Sequence, residues 1–263
     1  MTPTNGRRAG LRPVFEEHFD APVLDPSVWL PHYLPAWSSQ AATAATYDIR
    51  DSCLRLSIPP DQGLWLPGVH TPPLRVSGIQ SGNFSGPVGS TIGQQPWRPG
   101  MPVREAQPRL EGWLPRFGYL EMRARAVVSP RSMVAWWLVG FEDEPNRSGE
   151  ICVAEIFGDA VEPGRSAAVG MGLHAFRDPE TAEDFEAVRV AIDVAAFHTY
   201  AVDWREDAVE FFVDGISIRR CARPPTYPMQ SMLAVFDFPD RSVGDDAQLV
   251  PELVVDALRG YEG

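Results

Sequence analysis

From residue 117 onward, apolar positions recur with a period close to two. FGYLEMRARAVV, SMVAWWLVG, GEICVAEIFG, AAVGMGLHAF, FHTYAVDW, AVEFFVDG, ISIRRCA, MQSMLAVFDF and LVPELVVDALRGY are each strand-length and rich in Val, Ile, Phe, Tyr and Trp. Side chains alternate faces along a strand, so these runs predict β-structure with one or both faces buried. The first third is less dense. VFEEHFDAPVLDPSVWL (14–30) sets aromatics between turn residues, while TYDIRDSCLRLSI (46–58) and RVSGIQS (75–81) alternate as strands do. HTYAVDW-RED-AVEFFVDG predicts a hairpin turning at Arg205–Asp207, with Asp214-Gly215 marking the next turn. The acidic stretch 178–196 reads as a solvated loop rather than a short helix. Residues 82–115 are rich in Gly and Pro and long for a loop, which points to a functional segment, and Trp97 and Trp113 within it favour a role in binding.

The elements therefore predict an all-β sandwich of two antiparallel sheets. One domain spans 14–263 behind a disordered N-terminal tail of 1–13, with no internal repeat and no linker to a second domain. Composition agrees: 44% of the 263 residues are apolar, enough for a large core, and 26 Pro and 22 Gly punctuate the strands.

Charge narrows the partners. The formal net charge is −12, and all 23 basic residues are Arg. Nucleic acids and anionic membranes need clustered positive charge, so neither is expected, and a neutral ligand fits more easily than a polyanion. The three cysteines, Cys53, Cys152 and Cys221, are far apart with no CxxC spacing, which argues against a disulfide framework. No apolar window reaches the length of a membrane span, and no signal peptide is visible, so the chain reads as cytoplasmic or already processed. Nothing marks a protein partner, and a monomer is expected.

The chemistry concentrates in GEICVAEIFG (149–158). In a regular strand Glu150 and Cys152 share one face while Ile151, Val153 and Glu155 share the other, so the two carboxylates would point apart. A β-bulge after Val153 reverses the alternation, brings Glu155 onto the face of Glu150 and Cys152, and sends Val153 and Ile156 into the core. Two carboxyl groups on one face at roughly 5–5.5 Å suit retaining glycoside hydrolysis: one attacks the anomeric carbon, the other protonates the leaving oxygen and later deprotonates water. From the spacing alone, two surface glutamates on an edge strand are the favoured explanation of the pattern.

The flanking segments carry more. Gly149, Glu150, Ile151, Val153 and Glu155 resemble the E-[ILV]-D-[IV]-x-E strand of glycoside hydrolase family 16, in its longer, bulged form. FGYLEMRAR (117–125) is similar to the family's Y-G-x-F-E-x-R strand, VAWWLVG (134–140) to its A-F-W-L strand, GLHAF (172–176) to the following His-bearing strand, and FHTYAVDWREDAVEFFVDG (197–215) to its F-H-x-Y-x-x-x-W hairpin. FDAPVLDPSVW (19–29) and ELVVDALRGY (252–261) resemble its opening and closing segments, so the likeness runs from about residue 14 to 261.

The resemblance implies a concanavalin A-like β-jelly roll with a concave substrate cleft. It implies a retaining endo-β-glycosidase that cuts a neutral polysaccharide, with β-1,3- or mixed-linkage glucan favoured and galactan also open. Glu150 is the implied nucleophile and Glu155 the acid/base, with Trp137 as a sugar-stacking floor. Trp136, His174, Trp113, Trp97 and Arg123 complete the implied substrate-binding set. No cofactor is required; Asp256 marks a possible structural calcium site, with Glu17 and His18 only loosely following the family's acidic pair. The family is mostly extracellular. Two departures stand out: Met133-Val134 replaces the family's W-P, and Cys152 replaces the Asp that hydrogen-bonds the nucleophile in the family. Cys152 therefore joins the candidate catalytic residues, as a weak donor, a small apolar filler, a reactive thiol, or a metal ligand with His174. Its neutrality also leaves open a second function, a catalytically impaired jelly roll that binds polysaccharide without cutting it.

Overall fold

The computed structural model describes residues 10–262, so most of the predicted tail lies outside the described residues. Two large sheets, antiparallel in every pairing, face each other. The eight-stranded sheet runs β15 (Ile216–Ala222), β14 (Ala208–Val213), β13 (His198–Trp204), β7 (Gly118–Val127), β17 (Glu252–Glu262), β3 (Cys53–Ser57) and β2 (Thr46–Arg50), with β1 (Arg12–Glu17) also paired to β17. The seven-stranded sheet runs β10 (Val161–Glu162), β11 (Ser166–His174), β9 (Glu150–Phe157), β8 (Ser132–Gly140), β16 (Met229–Asp237) and β4 (Arg75–Gln80), with β12 (Asp184–Val190) on β11. A small ribbon joins β5 (Gly82–Asn83) to β6 (Leu110–Glu111).

The turns follow their residues. Asp51 and Ser52 both adopt positive φ and close the β2–β3 hairpin, as Asp214 and Gly215 do between β14 and β15. The β13–β14 hairpin turns over Arg205–Asp207, where the alternating pattern breaks. The stretch read as a solvated loop, 178–196, instead contains β12. Phe185 and the Val188 and Val190 positions give it enough strand character to pair along β11, while its charged residues occupy a solvent-facing edge.

Burial shows why the sandwich holds. Val134, Trp136 and Leu138 of β8 point between the sheets, where they meet Ile151, Val153 and Ile156 of β9 and Leu120, Met122, Val202 and Leu258 of the opposite sheet. The other face of β8 is also covered: Met133, Ala135, Trp137 and Val139 pack with Tyr33, Trp65, Met101 and Val103 from the long connections. A strand buried on both faces reads as the continuous apolar run SMVAWWLVG. Those connections roof one part of the outer face of the seven-stranded sheet and leave an opening beside it.

Candidate active site

The opening exists because β9 is bulged. Across the β8–β9 ladder Trp136 faces Ala154 and Trp137 faces Cys152, leaving Val153 as the extra residue, and the β9–β11 ladder shifts at the same place, from Glu155 opposite Gly170 to Cys152 opposite Gly172. Val153 and Ala154 consequently both pack into the inter-sheet core, and Glu150, Cys152 and Glu155 all emerge on the outer face. They line an open cavity of about 540 Å³ whose other walls include Tyr33, Trp65, His70, Trp97, Trp137 and Phe236, with Gln95, Glu142 and Arg177 at the same end as the carboxyls.

Burial sets the electrostatics. Glu150 is only 9% exposed, and its carboxyl is pushed up to about 8 by burial first and then by the negative charge of Glu155. Glu155 is also raised by burial, with His174 pulling the other way. Two close carboxyl groups that resist joint ionisation titrate as a pair, and near neutrality such a pair carries one proton. Cys152 is fully buried, its thiol donates to Gly170 O at 3.8 Å, and burial followed by Glu155 and Glu150 holds it well above the ordinary thiol range. It is a neutral filler between the carboxyls, and with no third donor nearby the metal-ligand reading does not fit: among the described residues no group of three His, Cys, Asp or Glu is placed to hold an ion.

A second layer comes from loops. Gln95 Nε2 donates to Glu150 Oε2 at 2.7 Å, and Gln95 Oε1 accepts from Trp137 Nε1 at 3.2 Å. The Gln95 backbone N–H donates to Glu142 Oε1 at 2.7 Å, and Arg177 donates to the other Glu142 oxygen. Burial pushes Glu142 up to about 7 against the opposing pull of Arg177 and the Gln95 N–H. Behind Glu150, the Gly149 N–H donates to Tyr227 Oη at 2.7 Å, and that hydroxyl donates to Asp178 at 2.7 Å, which fixes the start of the bulged strand.

The structure sorts the sequence candidates. Glu150, Cys152, Glu155, Trp137 and Trp97 meet at the cavity. Trp137 stands edge-on to Tyr33 at 6.4 Å, and the Trp97 ring lies 4.9 Å from His70 and 5.0 Å from the Arg98 guanidinium. His174 stands at the end of β11, bonded through Nδ1 to Glu183 at 2.7 Å and stacked on Phe185 at 4.7 Å; it influences Glu155 by charge without lining the cavity wall.

Three residues of the expected binding set lie elsewhere. Trp136 is fully buried between the sheets with its indole N–H on Ser231, because its neighbour Trp137 takes the outer face. Trp113 stacks on Phe15 at 4.1 Å and belongs to the inter-sheet core, so only one of the two loop tryptophans reaches the cavity. Arg123 belongs to the opposite sheet, paired with Asp256 at 2.8 Å and placed over Phe197. That pairing also bears on the calcium reading. Asp256 is neutralised by an arginine, and Glu17 already accepts from the Phe19 N–H and the Trp29 indole, so these residues do not fit a cation.

Sequence reading missed Gln95, Glu142, Arg177, Tyr33, Trp65, His70 and Phe236. Glu142 and Arg177 carried a faint signal, since each follows closely on a strand that flanks the two-glutamate strand.

Comparison with known proteins accords with this geometry. The sequence model of "Glycosyl hydrolases family 16" matches residues 114–239, which include the bulged strand and both its neighbours. No curated protein matches the chain. Among solved structures, the fold superposes on a GlcNAcα1-4Gal-releasing endo-β-galactosidase from Clostridium perfringens with a TM-score of 0.83 at 23% identity, covering 97% of this chain and 62% of that one. It superposes on an endo-1,3-β-glucanase (laminarinase) catalytic domain from Thermotoga petrophila with a TM-score of 0.67 at 18% identity, over 96% and 98% of the two chains. A laminarinase from Flavobacterium sp. gives 0.65 at 21% identity, over 95% and 100%. Motif, bulge and fold agree: residues 114–239 match the glycoside hydrolase family 16 model, and the fold around them is shared with these glycosidase structures.

Proposed function

We propose that this chain is a retaining endo-β-glycosidase that cleaves a neutral β-linked glucan or galactan by double displacement. The observation that carries the reading is the placement of Glu150 and Glu155 on one wall of an open, aromatic-lined cavity by the Val153 bulge. Glu150 as carboxylate attacks the anomeric carbon and forms a glycosyl–enzyme ester while Glu155 gives its proton to the leaving oxygen; Glu155 then takes a proton from water, which attacks the same carbon and releases Glu150. One shared proton on the pair is the state this cycle starts from.

The walls suit a neutral sugar chain. Trp137, Trp97, Trp65 and Tyr33 supply flat apolar surfaces for pyranose C–H faces, and an opening rather than a closed pocket lets a polymer pass through. Three carboxyl groups in the cavity and a net charge of −12 oppose a polyanionic chain. The two substrate classes named among the similar structures, β-galactoside and β-1,3-glucan, set the panel to test, and the larger TM-score of the galactosidase supports placing β-galactans beside the glucans.

The test is incubation with β-1,3-, β-1,4- and mixed-linkage glucans and with β-galactans, reading new reducing ends by colorimetry and the anomer first formed by NMR. Release of internal fragments with retained β-configuration is expected from one of them. Measurable binding with no new reducing ends across the panel replaces the enzyme with a polysaccharide-binding jelly roll, the reading that the neutral residue at 152 favours.

A further inference from the structure

Gln95 stands outside every strand, in the Gly/Pro-rich connection, yet it touches both halves of the site. Its side-chain amide has two ends, and its surroundings fix which faces which. The Trp137 indole can only donate, so it takes Oε1 at 3.2 Å, and the NH₂ is left for Glu150 Oε2 at 2.7 Å. The backbone is held as firmly. Gln95 has φ +42, in the left-handed region that non-glycine residues seldom occupy, and its N–H is tied at 2.7 Å to Glu142, a carboxyl only 2% exposed that is itself paired with Arg177. Cys152, the nearest alternative donor on the strand, is turned to Gly170 O.

We propose that Gln95, anchored by Glu142 and Arg177, is a positioning residue that orients the Glu150 carboxyl, favours its charged form against the burial that opposes it, and couples its orientation to the sugar platform Trp137. This rests on the glycosidase reading above and deepens it. A hydrogen bond given to a carboxylate favours the charged form, and a neutral amide cannot take up the proton itself. Glu150 is otherwise faced by carboxyls that oppose its charge, Glu155 on its own strand, Glu142 from the loop after β8 and Glu183 from the segment before β12, while burial and Glu150 together keep the Cys152 thiol and the Tyr33 hydroxyl protonated. Arg177 is spent on Glu142, and His174 is bonded to Glu183 and acts on Glu155. The Gln95 amide is therefore the group that favours the Glu150 carboxylate, and a sugar that presses on Trp137 acts on Glu150 through the same amide.

The experiment follows the Glu150 carboxyl carbon by 13C NMR across pH in the full chain, with the resonance assigned by its loss in Glu150→Gln. Gln95→Met keeps the side-chain length without a donor, and Trp137→Phe keeps the ring without the N–H that orients the amide. Gln95→Met is expected to raise the Glu150 midpoint by about one unit and Trp137→Phe by less, in the same direction. The acid limb of kcat/KM should move by the same amount on whichever glycan is cut. An unchanged midpoint in both variants overturns the proposal. The titration needs no substrate, so a shifted midpoint with no cleavage of any glycan sinks the glycosidase reading alone, while cleavage with an unshifted midpoint sinks the positioning role alone.

Discussion

Gly170 lies directly across the ladder from Glu155, and a Cβ at 170 would sit 3.2 Å from Glu155 Cβ and 2.6 Å from Phe185 Cζ. The Phe185 ring supports His174, so an added methyl presses on Glu155, the proposed acid/base, and on the residue that pulls its pKa down. Gly170→Ala is expected to lower kcat about tenfold and to cost on the order of 1–2 kcal/mol from overpacking, with Gly170→Val worse on both counts. Turnover assays and thermal melts read the two effects. A full-rate Gly170→Ala enzyme would mean that Phe185 swings aside without disturbing Glu155.

Replacing either carboxyl separates chemistry from folding. On the proposed mechanism Glu150→Ser removes the attacking group and Glu155→Gln the transferable proton, and each should lower kcat by at least about a thousandfold on the best glycan. Near-native turnover in either variant would remove that residue from its role.

The same burial gives a stability signature. Glu150 rises from an ordinary 4.5 to about 8 on folding, so between those values the folded protein holds a proton that the unfolded chain has released. Stability from this group is therefore fully present below about pH 4.5 and is lost as pH climbs toward 8; Glu142, raised to about 7, adds to the loss over the lower part of that window. Glu150→Gln removes the titration, so between pH 4.5 and pH 7 its stability should gain on the parent's by about 3 kcal/mol, read as a converging or overtaking melting temperature. A gap between the two proteins that stays flat from pH 5 to 8 would show that Glu150 ionises freely in the fold.

The bulged strand was legible because only one rearrangement lets Glu150 and Glu155 share a face while Val153 and Ile156 stay buried. The hairpins at Arg205–Asp207 and Asp214-Gly215 were legible from polar turn residues between alternating runs. Gln95 was not, since its importance comes from a loop path of 26 irregular residues between β5 and β6 that no periodicity describes. Trp113 and Arg123 went astray for a related reason. Residue type suggested sugar binding, but whether a loop tryptophan turns outward or stacks on Phe15 depends on tertiary packing alone. Strand 184–190 was obscured by its charges, which are tolerated because it is an edge.

Cys152 gives a negative result worth measuring. Its thiol is buried and held above the ordinary range, and Cys53 and Cys221 are likewise buried and raised, so none offers a thiolate near neutral pH. The native enzyme should react with a thiol reagent far more slowly than the unfolded chain, and glycan turnover should survive the exposure. Cys152→Ser, close in size, should keep turnover within a few-fold. Rapid inactivation by the reagent, blocked by bound oligosaccharide, would restore the reactive-thiol reading.

Trp136 and Trp137 are chain neighbours with opposite duties, which makes them a matched control. Trp136 is fully buried between the sheets and bonded to Ser231, so Trp136→Ala leaves a large cavity and should cost about 3–5 kcal/mol, read as a lower melting temperature. Trp137 lines the cavity and holds the Gln95 amide, so on the proposed function Trp137→Ala should remove both a stacking surface and the restraint on Glu150. Its kcat/KM should fall about a hundredfold, with part of the loss in kcat, while the melt moves less than for Trp136→Ala. The two variants would exchange phenotypes if the strand register were one residue out. Such an exchange would place Trp136 in the cavity and, by the same slip, turn the opposite face of β8 toward the bulge at Val153.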